Sequence, residues 1–228
     1  MNAAWDPAAR PFWMPDYQRL LGLNRTWIAA AAAIFLFGFL VGFAGARASP
    51  EAVLRAAAPV FGQLEALAGQ VIEADNPLVR SWLIFANNVR VSAMTLLLSP
   101  GFGLVPLGAL LANGSIIGLI VGLSTGPALP GLLELPRDPL LFLVAILPHG
   151  VIELPAVMFI TAWGLKLGLA PWLPSAAGAR AAVWRTTARE GLQVLALVVI
   201  LLLIAAVIEA NLTLALVQWL QDQRSSGA

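Results

Sequence analysis

The 228-residue chain contains no cysteine, one histidine and one tyrosine, and only 11% of its residues are charged. Absence of cysteine removes disulfides, thiolate nucleophiles and thiolate metal sites together. The lone His149 cannot supply the paired imidazoles of a membrane metalloprotease. Asp6, Asp16, Asp75, Asp138 and Asp222 all fall outside the apolar runs, which argues against a paired intramembrane aspartate site. No Gly-x-Ser-x-Gly element occurs, and the single lysine, Lys166, follows Leu165 rather than a phosphate-binding loop. A net charge of +1 gives no field for nucleic acid. The expectation is a protein that is not an enzyme and uses no cofactor or metal. A cage built from His149, Glu153 and one further carboxylate would be a poor, unspecific one.

What the chain has in excess is apolar surface: 60% of residues are hydrophobic, and the mean hydropathy is +0.86. That composition lies outside soluble-globular usage and indicates a multi-pass membrane protein. The fold class read from the sequence is all-α, polytopic, with about five transmembrane helices plus an external amphipathic helical segment. The spans fall at about 28–45, 81–98, 104–123, 140–165 and 192–212, within one membrane domain over 28–220. Residues 1–27 form a cytoplasmic or interfacial N-terminal segment, rich in Trp5, Phe12, Trp13, Tyr17 and Trp27. Residues 221–228 form a polar tail. A cleaved secretory leader is the rival for the first run, but the stretch before it is long and partly acidic.

Between the first two spans, 48–80 is the longest polar connection. Val53, Leu54, Ala57, Val60, Phe61, Leu64, Leu67 and Val71 recur at helical spacing over 51–73, with Glu51, Arg55, Gln63, Glu65 and Glu73 opposite. This helix is too polar to span, and Pro59 is expected to bend or divide it. Ser99-Pro100-Gly101-Phe102-Gly103 reads as a tight turn that sets the third span antiparallel to the second, and Ser124 to Pro139 reads as a loop. The last apolar run exceeds one crossing, so it projects beyond the bilayer or bends near Asn211. Basic residues favour one end: Arg10, Arg19, Arg25, Lys166, Arg180, Arg185 and Arg189, against Arg47, Arg55, Arg80, Arg137 and Arg224. That bias places the chain in the cell's cytoplasmic (inner) membrane with its N-terminus cytoplasmic and its C-terminus external.

Ionisable and amide groups inside spans are costly, so they mark an interior. The expected buried polar centre comprises His149, Glu153, Asn87, Asn88, Arg90, Asn113 and Glu209. His149 and Glu153 are four apart, on one helical face. Pro148, Gly150 and Pro155 flank them and predict a kinked or broken helix, a geometry that membranes tolerate only around protein or a cavity. Taken singly, each Asn is also adequate as interhelical glue, at about 0.6–2 kcal/mol, and Arg90 could snorkel to the interface. Gly114-x-x-x-Gly118 is a close-packing motif, usable within the chain or in a homodimer.

Asn87-Asn88-x-Arg90, Asn113-Gly114-x-x-x-Gly118, Pro148-His149-Gly150-x-x-Glu153-Leu154-Pro155 and Ala205-Ala206-x-x-Glu209-Ala210 together resemble the stage II sporulation protein M family. The resemblance covers roughly Ile28 to Leu220. It implies a polytopic membrane protein which, in spore formers, anchors peptidoglycan-degrading proteins during engulfment; the wider family also occurs in organisms that do not sporulate. Two functions follow. The first is a non-enzymatic membrane scaffold for envelope or cell-wall-remodelling partners, with the 51–73 segment offering its apolar face. The second is a transporter or channel for a small solute, proton or lipid head group, using His149 and Glu153, with Arg90 balancing the carboxylate or binding an anion. The expected partners are the lipid bilayer, other membrane or envelope proteins and a second copy of the chain in a homodimer; nucleic acid is not among them.

Overall fold

The computed structural model describes residues 15–125, 139–173 and 179–226, and every element among them is helical. The short α1 (Tyr17–Leu23) is capped by the Asp16 carboxylate, which accepts from the Arg19 N–H. It turns at Asn24 into α2 (Arg25–Ala48). Then follow α3 (Pro50–Glu73), α4 (Pro77–Leu97), α5 (Leu104–Ser124) and α6 (Pro139–Leu169), the last continued by a 3-10 turn over Ala170–Trp172. α7 (Arg180–Val207) passes through a π-helical stretch, Ile208–Thr213, into α8 (Leu214–Ser226). The expected polar tail is thus helical as far as Ser226. The expected loop at Ser124 to Pro139 lies outside the described residues over 126–138, as do Trp5, Phe12 and Trp13.

Four helical stretches are long and apolar enough to cross a membrane: Arg25–Ala48, Leu104–Ser124, Gly150–Trp172 and Arg180–Leu220. Five were expected. The difference is α4, a helix of spanning length whose Arg80, Asn87, Asn88 and Arg90 lower its apolarity. It nevertheless runs parallel to α6 at a constant sequence offset: Asn88 meets Glu153, and a Cβ on Gly164 would meet the Ser99 hydroxyl.

The tightest packing joins α2 to α5. Gly38 and Gly42 lie against the backbone of Leu111 and Ser115, while Gly114 and Gly118 lie against Phe35, Phe39 and Phe43. A Cβ on Gly38 would approach the Leu111 carbonyl to 2.6 Å, and on Gly42, Gly114 or Gly118 still closer. The Ser115 hydroxyl donates across the same seam to the Gly38 carbonyl at 3.0 Å. The Gly114/Gly118 stripe expected to serve either an internal or a homodimer interface is therefore filled by α2.

Of the outcomes expected at the prolines, a bend or a break, the break does not occur. α3 continues through Pro59, and α6 continues through Pro148 and Pro155 as one helix. Pro148 and Pro155 are seven residues apart, two turns, so the missing N–H groups fall on one face and the remaining ladder carries the helix. The long C-terminal run departs from α-geometry at the expected place, because Asn211 lies in the π-helical stretch. The turn after α4 is also as expected. Gly103 N–H donates to the Ser99 carbonyl at 3.0 Å, and Phe102 and Gly103 both take left-handed φ, at 59° and 69°.

Candidate functional site

Three helices bring the intramembrane polar residues together. Asn88 on α4 donates its amide N–H to Glu153 Oε1 on α6 at 3.2 Å. Asn87 donates to Asn88 Oδ1 at 3.4 Å, so the two amides form a relay that ends on the carboxylate. Asn113 on α5 donates to the Ala109 carbonyl of its own helix at 2.8 Å. These side chains do not close on each other in a sealed cluster. Asn87, Asn88, Asn113 and Glu153 share the wall of a cavity of about 300 Å³, roofed by Gln63 and Leu67 of α3. Such a volume sits at the small end of ligand pockets.

The cavity is graded along α6. Glu153, Val157 and Ile160 line it on successive turns, and Asn88, Ser92 and Thr95 do the same on α4. Near Ile160 the hydroxyls are already engaged: Thr95 donates to the Val91 carbonyl at 2.8 Å and Thr161 to the Val157 carbonyl at 2.6 Å. One end is therefore polar and the other presents mainly methyl and methylene groups. Among the described residues no arginine or lysine lines this cavity, and no salt bridge reaches Glu153.

The other expected members are placed differently. Glu209 lies in the π-helical stretch and is not on the cavity wall. Arg90 is exposed on α4, on the side of Met94 and Leu97. It is not part of the polar centre, because Asn87 and Asn88 turn toward α6 and position 90 is then rotated some 200° beyond Asn88. The His149 side chain lies outside the described residues, so its expected pairing with Glu153 is not addressed. Pro148 and Gly150 belong to the continuous α6 just before Glu153, and Pro155 just after it.

A second polar cluster was not anticipated. Lys166 Nζ donates to Glu190 Oε2 at 2.6 Å and to Asn24 Oδ1 at 2.7 Å. The indole of Trp163, fully buried, donates to the same Glu190 oxygen at 3.3 Å. Asn24 is itself buried at the α1–α2 junction and donates to the Leu20 carbonyl. This knot ties the N-terminus of α2, the end of α6 and the start of α7. Nearby, the Tyr17 hydroxyl donates to the Gln193 carbonyl at 3.3 Å, fastening α1 to α7. In the sequence Lys166 counts only among the basic residues of one end, and Glu190 is not singled out. The available signal was that the chain's single lysine directly follows one apolar run and that Glu190 lies two residues before another.

Among the described residues no group of three or more metal-ligating side chains occurs. A family model described as Stage II sporulation protein M matches residues 31–214, most of the chain. No curated protein and no solved structure matches it.

Proposed function

The chain belongs to the stage II sporulation protein M family, and on that premise we propose that it is a multi-pass protein of the cytoplasmic membrane that takes a small solute into the pocket between α3, α4, α5 and α6. The observation that carries this reading is the position of Glu153. Glu153 is on the wall of a cavity with Asn87, Asn88 and Asn113, and among the described residues it has no salt bridge. Intramembrane carboxylates with amide neighbours and room beside them are how many transporters build their sites. The absence of native cysteine makes the test clean. A single cysteine at Asn113 should react with a small water-soluble thiol reagent in a lipid bilayer, whereas one at fully buried Ala31 should not. Equal inertness at both positions would remove the pocket reading.

A second reading, the membrane scaffold for envelope partners, is supported by α3, which leaves most of its length exposed, including Ile72 at 75%. The face that sequence patterning assigns to a partner is largely spent within the chain: Phe61 packs with Ala46, Leu54 and Leu119, and Leu67 against Val71 and Ile84. Ile72 of that face stays exposed, and a partner would have to use it together with polar neighbours such as Arg55 and Glu65. This reading requires α3 on the outer side of the membrane, so a cysteine at Glu65 reached only from the cytoplasm would exclude it.

A further inference from the structure

We propose that the pocket's ligand is an organic cation, a protonated amine on an apolar body about 10 Å long. The inference rests on the pocket reading and adds the chemistry of what occupies it. At the polar end Glu153 has one hydrogen-bond donor among the described residues, Asn88, on one of its two oxygens. The amide oxygens of Asn87 and Asn113 also have no protein donor there, since both side chains bond through their nitrogens. Asn87, Asn113 and Glu153 thus each bring an acceptor oxygen without a described donor to the wall of a space that no arginine or lysine among the described residues enters. An ammonium group carries three N–H donors and a positive charge, so it satisfies all three oxygens and the carboxylate's charge at once. An anion would find no arginine or lysine to pair with among the described wall residues, and a neutral alcohol would satisfy one oxygen of the three.

The remaining wall sets the body of the ligand. From Glu153 to Ile160 is seven residues, about 10 Å along the helix axis. Val157, Ile160, Leu202, Leu64 and Val91 supply an apolar lining over that distance. The threonine hydroxyls near Ile160 are committed to their own backbones, so they ask nothing of a ligand. A six-carbon chain on an ammonium group matches this gradient.

The test is calorimetric titration of hexylammonium, hexan-1-ol and hexanoate into the full chain in zwitterionic nanodiscs, with empty nanodiscs subtracted. Hexylammonium should bind about tenfold more tightly than hexanol, a difference of about 1.4 kcal/mol, and hexanoate should not bind. Glu153→Gln should bring hexylammonium down to the hexanol level, and Ala109→Leu, which narrows the cavity, should weaken both. Hexanol binding as tightly as hexylammonium, or hexylammonium unaffected by Glu153→Gln, overturns the cation assignment; if Ala109→Leu still weakens binding, the pocket itself stands. No binding of any of the three above empty nanodiscs overturns both.

Discussion

Glu190 holds Lys166 and the Trp163 indole at a single oxygen, with only about a fifth of either charged side chain exposed. Removing one partner of such a pair leaves the other desolvated without compensation, which is where most of the cost lies. Lys166→Met should lower unfolding stability by about 1–3 kcal/mol, the upper figure being reduced because solvent still reaches the pair. The double variant Lys166→Met with Glu190→Leu should recover part of that loss, as seen in thermal unfolding in detergent. A double variant no better than Lys166→Met alone would mean that the cluster's weight lies in Trp163 and Asn24 rather than in the ion pair. At this scale the sequence was unevenly legible. Glu153 and Asn88 stood out because a carboxylate and an amide inside an apolar run have few bland explanations. Arg90 stood out for the same reason and proved to lie elsewhere, since the direction a helix faces is set by its neighbours. Lys166 and Glu190 are 24 residues apart at the ends of different helices, and nothing local joins them.

The α2–α5 pair shows how far glycine decides an element's place. Gly118 has its α-carbon against the backbone of Phe39 and Phe43, whereas Gly62 on α3 has nothing within 4 Å of an added Cβ. Gly118→Leu should therefore push α2 and α5 apart and cost about 3 kcal/mol, at the upper end of overpacking effects. Gly62→Ala should instead raise stability by about 0.5–1 kcal/mol, because it only removes backbone freedom within a helix. Thermal unfolding of the two variants checks both, and equal effects would count against the seam as the organising contact. The glycine spacing was readable in the sequence; the identity of its partner was not, since α2 offers the same small-residue pattern that a second chain could. The prolines were legible only as bend-or-break sites, and the helices run through them without a break. Pro59 is exposed, so the carbonyl it leaves without a donor can be hydrated. Pro148 and Pro155 each delete one bond from a helix long enough to keep the rest.

The directions of the helices, taken with the basic residues, predict how the molecule sits in a bilayer. Phe35, Phe39 and Phe43 meet Gly114, Gly118 and Gly122 in ascending order, so α2 and α5 are parallel. The Ser99–Gly103 turn reverses α4 into α5, and α4 and α6 share one direction. Asn24, Lys166 and Glu190 meet at one end, where α2 and α7 begin and α6 finishes. Arg25, Arg180, Arg185 and Arg189 belong to that same end, while α3 connects the opposite ends of α2 and α4. Since basic residues are retained on the cytoplasmic side, α3 should be external, and the pocket it roofs should be nearer the outer surface. With no native cysteine, single substitutions report this directly. A cysteine at Glu65 on α3 should be labelled in intact cells by a membrane-impermeant maleimide. One at exposed Ala182 on α7 should be labelled only after permeabilisation. The reverse pattern would invert the topology and place the mouth of the pocket on the cytoplasmic side, so that a ligand would have to approach Glu153 from within the cell.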